Sequence, residues 1–203
     1  PAMPKIKHTK NELKHQRDDL RRFSRFLPTL ELKKQQLQIE VRRTHAALAA
    51  NRAEETALRA ELEGWIRLFA EPAGLDALLR VKAVRRSAGN IAGVAIPVFE
   101  GVEFERAQPD LFQSPPWVDD ALDALERLIR LKAARAVLET QAERLGDELR
   151  VSTQRVNLFE KVKIPACTDN IRVIRIFLGD EQTAAVARAK LAKNKLTGGA
   201  TPA

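Results

Sequence analysis

From Leu13 to Phe69 the chain steps alternately by three and four residues between apolar positions. Those steps visit 17 positions, and 12 are apolar: Leu13, Leu20, Phe23, Leu27, Leu30, Leu37, Val41, Leu48, Leu58, Leu62, Trp65 and Phe69. The exceptions are Gln16, Lys34, Thr44, Asn51 and Glu55. An apolar stripe with a period of about 3.5 residues cannot be covered by its own helix, so it needs a partner helix along its length. The second half of the chain supplies one. From Leu138 the same steps run through Ala142, Leu145, Leu149, Ser152, Val156 and Phe159, and looser apolar spacing continues to Leu178. The pattern predicts a mainly α fold: a long antiparallel two-helix coiled coil with a small β-hairpin region between the helices.

Boundaries follow from breakers and caps. Thr9 with Glu12 forms a capping-box pattern that starts the first helix near residue 9 or 10. Pro28 falls inside that helix and predicts a kink or local fraying about one turn earlier. Glu71-Pro72-Ala73-Gly74 ends it. Val81–Arg85 alternates as a strand does, Ser87-Ala88-Gly89-Asn90 is a turn cluster, and Val94–Phe99 is a second extended run, with Val102–Phe104 as a possible third. Pro97 belongs on an edge or at a bulge. Ser114 is the expected cap of the last helix, with Pro115 and Pro116 entering its first turn. The expected division is an N-terminal helix over 1–70, a hairpin and loop region over 71–116, a C-terminal helix over 117–196 and a disordered tail over 197–203.

At about 1.5 Å per residue, helices over 12–69 and 117–195 are roughly 87 and 118 Å long, which predicts a rod with little material for an enzyme core. No apolar run approaches the ~18 residues of a membrane span, and no signal-type segment is present, so a cytoplasmic protein is expected. Pro1 and Ala2 precede Met3, which is the expected natural start. The single cysteine, Cys167, allows no disulfide within one chain. The net charge of +8 is uneven: +7 over residues 1–50, 0 over 51–100, −4 over 101–150 and +5 over 151–203. An antiparallel hairpin brings both basic ends together, and a dipolar molecule of that kind suggests two different partners.

Chemistry-bearing patterns are thin. The glycines at 89, 93 and 101 match no phosphate-binding fingerprint. His8, His15 and His45 lie on the first helix without acidic or thiol neighbours that complete a ligand set, and no metal or cofactor is expected. Cys167 has no histidine within local reach, and Asp18-Asp19 and Asp119-Asp120 are explained by solvation and the helix dipole. No residue carries a catalytic role. A basic nucleic-acid-binding hairpin is an alternative, because Arg17, Arg21, Arg22, Arg25, Lys33 and Lys34 make a basic stretch. Tyrosine is absent, however, and Phe23 and Phe69 are used on the stripe, so a base-stacking platform is missing. A coiled-coil adaptor or prefoldin-like holdase is the other alternative, although such a tip exposes apolar residues where this one is basic.

The most specific sequence lies late in the chain: Thr153-Gln154-Arg155-Val156-Asn157-Leu158-Phe159-Glu160, then Ile164-Pro165, then Ile171, Ile174, Leu178 and Asp180-Glu181. This closely resembles the hallmark of the D-subunit family of the A-type and V-type rotary ATPases. Leu30, Leu32, Lys33, Lys34 and Leu37, and Asn90-Ile91-Ala92-Gly93-Val94 with Ile96-Pro97, support the resemblance, which covers Lys5 to about Lys195. Gln154, Leu158-Phe159, Gln35-Gln36 and Pro28 depart from the family pattern. The resemblance implies a non-catalytic central axle. Its helix ends would enter a ring of A and B subunits that hold the nucleotide sites, and its other end would join the F subunit and a socket subunit on the membrane rotor ring. The protein would then be peripheral to the membrane through that complex.

On this reading Leu30, Leu37, Leu149, Arg155, Val156, Asn157, Phe159, Glu160, Ile164 and Pro165 form the motif and helix interface. Arg21, Arg22, Arg25, Arg188, Lys190, Lys193 and Lys195 form a basic end facing the ring. Val94, Ile96, Val98 and Phe99 form a partner surface on the hairpin. If residue 69 turns back near residue 122, Pro28 and Pro165 share one level, His8 lies opposite Thr183, and residues 184–196 project as a lone helical tip.

Overall fold

The computed structural model describes residues 6–65, 67, 74–109 and 114–198. Helix α1 spans Lys10–Glu63, α2 is the single turn Leu75–Leu78, strands β1 (Leu79–Ile91) and β2 (Val94–Arg106) form an antiparallel hairpin, and α3 spans Val118–Leu158. A π-helical segment, Phe159–Lys163, leads into α4, Ile164–Gly198. The mainly α fold with a hairpin between two long helical stretches is therefore as the sequence pattern predicts. Phe69 and the breakers at 71–73 lie outside the described residues, as does 199–203, while α4 runs into the first two residues of the expected tail.

The start of α1 is the capping box: Glu12 donates its N–H to Thr9 Oγ1 at 3.2 Å. At α3 the expected cap is three residues early. Ala121 donates to the Trp117 carbonyl at 3.0 Å and Val118 to that of Pro115 at 3.1 Å, so the first turn begins at Trp117 rather than Ser114.

The chain forms two compact units, Pro1–Leu32 with Ser152–Ala203, and Lys33–Val151. In the second unit Leu37 on α1 and Leu145 on α3, both at 0 % exposure, enclose Ile96 of β2. Nearer the end of α1, Leu58 and Leu62 pack with Ala124 of α3, bordered by Trp65, Leu128 and Leu131. In the first unit Val156, Cys167, Ile171 and Ile174 are buried, the Phe23 and Phe159 rings lie 5.1 Å apart, and Asn170 donates to Gln16 at 3.2 Å.

These contacts correct the expected register. Phe23 meets Phe159 instead of residue 168, Gln16 meets Asn170 instead of residue 175, and the His8 ring lies 4.8 Å from Phe177 instead of beside Thr183. The shift is not uniform: Arg52 still meets Glu139, the partner the expected register gives it, whereas Lys33 meets Glu148 instead of residue 158, so each level is set by the side chains that pack there. Pro28 then lies five residues beyond Phe23 and Pro165 six beyond Phe159, in opposite directions along the pair, which puts them about 16 Å apart instead of level. Each proline is accommodated separately. Pro28 stays inside α1. Before Pro165 the helix widens, with the Ile164 N–H reaching back five residues to the Phe159 carbonyl, which moves carbonyls out of the way of the proline ring.

The hairpin also differs from its sequence reading. Ser87–Asn90 is strand, and the turn is Ala92–Gly93, both at positive φ (50° and 82°), with Asn90 Oδ1 accepting from the Gly93 N–H at 3.0 Å. Two successive left-handed residues match the right-handed twist of the strands, which is why a two-residue loop wins over the more obvious turn cluster. Gly89 fits for another reason: a Cβ there would lie 2.8 Å from Val98 Cγ2, so that side chain would have to shift. A register shift at Glu100 lets the third expected run, Val102–Phe104, continue β2.

Candidate interaction surfaces

Within the Lys33–Val151 unit, charged residues fix the hairpin to α3. Arg106, the last residue of β2, reaches Asp119 at 3.4 Å, Asp123, and Glu126 at 3.6 Å. The hydrogen bond to Asp123 and the surrounding carboxylates hold its guanidinium even further above neutrality than usual, against the opposing effect of burial. Arg130 stacks 5.0 Å from the centre of the Phe104 ring. Further along, Gln141 donates to the Pro97 carbonyl and Arg144 to that of Ala95 at 3.0 Å. Asp119 thus has a partner beyond the helix dipole, and nothing in the local sequence pairs it with a residue on β2.

This docking changes the expected hairpin surface. Ile96 is 4 % exposed and Val94 packs beside it on Leu37 and Leu145, so the chain's own helices cover them. Of the four residues expected to face a partner, Phe99 is half-buried and only Val98, at 38 %, is exposed. Val98 shares the strand face of Val94 and Ile96 but is not covered with them.

The polar interruptions of the stripe are built into the helix contacts. Glu55, 6 % exposed, accepts from Arg59 at 2.8 Å and from Arg135 across on α3. The Arg59 hydrogen bond, then the charges of Arg135, Arg59 and Lys132, hold its carboxyl below the usual range although burial pushes it up. Lys33 meets Glu148 at 2.6 Å and Arg52 meets Glu139 at 3.4 Å. Thr44 returns its hydroxyl to the Glu40 carbonyl, and Asn51 Oδ1 is closed off from solvent without a hydrogen-bond partner among the described residues.

In the other unit, Val156 is buried and Phe159 and Ile164 are half-buried, while Arg155, Asn157, Glu160 and Pro165 are exposed. The motif is therefore part helix contact and part free surface. Leu30 and Leu149, in their respective units, are half-buried. Cys167 is buried, and burial and Asp19 push its thiol up, which suits packing and not nucleophilic chemistry. Arg21, Arg22 and Arg25 are exposed; Arg22 pairs with Asp19 at 2.6 Å, and Arg21 lies 3.9 Å from Asp18. Every residue from Gly179 to Leu196 is exposed, including Arg188, Lys190, Lys193 and Lys195, so the exposed stretch begins five residues before the expected 184. It is also apolar in part, with Val186 at 56 %, Leu191 at 63 % and Leu196 at 80 %.

Among the described residues no cluster of histidine, cysteine or carboxylates is placed to hold a metal, and no helix is long and apolar enough to cross a membrane. What the arrangement offers is surface: a basic and partly apolar helix end, and a hairpin clamped along one side.

Residues 12–194 match the family model for the ATP synthase D subunit. The chain belongs to the ATP synthase D-subunit family. It is 45 % identical over 194 residues to the V-type ATP synthase D subunit of Borreliella burgdorferi, covering 96 % of both chains. Against the V-type ATP synthase D subunit of Chlamydia muridarum it is 31 % identical, covering 94 % of this chain and 96 % of that one. With the Chlamydia abortus protein of the same name the identity is 34 %, over 94 % and 93 %. A V-type ATP synthase D subunit is a component of a complex with other ATPase subunits.

Proposed function

We propose that this chain is the non-catalytic central-stalk subunit of a V-type ATPase or ATP synthase, cytoplasmic and peripheral to the membrane, which transmits torque between the nucleotide-hydrolysing A/B ring and the membrane rotor ring. The A and B subunits surround its basic end, and the F subunit and the membrane-side socket subunit bind elsewhere along it. The observation that carries this reading is the exposed stretch Gly179–Leu196, where apolar Val186, Leu191 and Leu196 alternate with Arg188, Lys190, Lys193 and Lys195. A helix with no cover over so many residues is weakly stable in water and gains order from a surrounding partner. Its cations provide screened attraction that guides without locking, as a bearing requires.

Torque also requires that paired helices do not slide. Apolar contacts alone slip by whole heptads at little cost, whereas Gln16 with Asn170, Lys33 with Glu148 and Glu55 with Arg135 each lose a specific partner on any shift. The test is reconstitution with purified A, B and F subunits. One stoichiometric complex is expected, with ATP hydrolysis that depends on this chain. A chain ended after Gly179 should still bind the F subunit but uncouple hydrolysis from rotation of a probe fixed to the chain. Full coupling by the truncated chain, or no complex, would sink the reading.

A further inference from the structure

The two edges of the hairpin differ. β2 is held by α3 through its Ala95 and Pro97 carbonyls, while most residues of β1 are exposed, including Arg86, Ala88 and Asn90. The Ala92–Gly93 loop closes on the pair Ile91 and Val94. Bonded and non-bonded pairs alternate along an antiparallel ladder, so Gly89 with Ile96 and Ser87 with Val98 are bonded. Asn90 with Ala95, Ala88 with Pro97 and Arg86 with Phe99 are then the non-bonded pairs. Pro97 confirms the phase, because it has no N–H to give and sits where none is needed. The N–H and C=O groups of Arg86, Ala88 and Asn90 therefore point away from β2, at every second residue over about 14 Å. No backbone partner takes them among the described residues.

Edges are blunted by proline, a cover, bulges or charge; here both register shifts lie before Arg86, and the charge of β1 is all positive, which repels a like strand and not an acidic one. The stretch Arg86–Asn90 has neither proline nor a covering element among the described residues. β1 carries Arg80, Lys82, Arg85 and Arg86 and no acidic residue, and among the described residues only Arg85 of these meets a carboxylate, Glu103 at 3.4 Å. We propose that the outer edge of β1 from Arg86 to Asn90 receives an extended acidic segment of a protein partner by strand addition, with Lys82 and Arg86 engaging its carboxylates. A polypeptide is the occupant that matches. The edge alternates donors with acceptors, and a phosphate of nucleic acid or lipid would satisfy the N–H groups only, leaving three carbonyls facing an anion.

The proposal rests on the reading above only for the complex in which the partner is sought. Residue-resolved hydrogen exchange is measured on the full chain, alone and in the complex reconstituted with the other V-type ATP synthase subunits. The amides of Arg86, Ala88 and Asn90 should slow about tenfold or more, while Ser87 and Gly89, already bonded to β2, change little. A complex in which the three amides exchange as fast as in the free chain overturns the inference alone; failure to form any complex overturns the proposed function with it. Ala88→Pro removes one outward donor and no ladder bond, so it should weaken the partner's binding about tenfold while Ser87 and Gly89 stay protected. Unchanged affinity, or loss of protection at Ser87 and Gly89, overturns the proposal. The double variant Lys82→Glu/Arg86→Glu should also weaken binding, and equal affinity would remove the acidic partner. Protection of the three amides by a DNA oligonucleotide or phosphatidylserine vesicles, and not by the other ATPase subunits, overturns it as well.

Discussion

Leu145 and Arg150 lie a little over one helical turn apart on α3 and are expected to respond very differently to truncation. Leu145 is fully enclosed by Leu37 and Ile96, so Leu145→Ala should cost ~2 to 5 kcal/mol, because the neighbours collapse only partly into the space. Arg150 is exposed beside Asp147, and Arg150→Ala should change stability by less than ~0.5 kcal/mol. Denaturant unfolding of the two variants checks this, and equal losses would show that the buried phase of α3 is misassigned. Glu55 makes a different prediction. Its carboxyl is held below its ordinary value of 4.5, so the ionised form favours the folded state. That contribution is complete above the unfolded value and is lost as pH falls through the lower folded value. Glu55→Gln should therefore melt lower than the parent at neutral pH, and the gap should narrow with acid. A constant gap from pH 7 to 3 would count against it.

Among the elements, the hairpin is the one whose sequence and structure conflict locally. Ala92 occupies a left-handed position, at φ 50°, that an alanine tolerates poorly. Ala92→Asn should raise stability by ~0.5 to 1 kcal/mol, since asparagine followed by glycine suits this loop. Gly89→Val should do the reverse by forcing atoms onto Val98 and loosening the docking of Ile96 on α1 and α3. Thermal melts read both, and a rise in melting temperature for Gly89→Val would be incompatible with the close approach. Helix existence, the Thr9 start of α1 and the central position of the hairpin were legible because they rest on periodicity and local capping. The turn at Ala92–Gly93 was not, because Ser87–Asn90 has the better turn composition and loses only when strand twist and the Gly89 contact are counted. The clamp of Arg106 on Asp119, Asp123 and Glu126 was equally hidden, as those residues lie on different elements.

For the whole chain, removal of residues 180–203 should leave the melting transition nearly unchanged, since the described side chains there are exposed. A loss of several degrees would mean that this stretch packs on the rest of the protein. The sequence by itself determined that two long helices pair, that the basic residues gather toward both chain ends, and that the Arg155–Pro165 block carries a family signature. Each is a property of order along the chain, which a period or a spacing expresses directly. Tertiary structure decided the register, because each level depends on which side chains meet across the pair, as Lys33 does with Glu148 and Phe23 with Phe159. It also decided that Gln16 and Glu55 find partners in Asn170 and Arg135, and that β2 is covered by α3 while β1 is left exposed. In each case the energy lies in contacts between residues remote in sequence, and a one-dimensional pattern can mark one member of such a pair without naming the other.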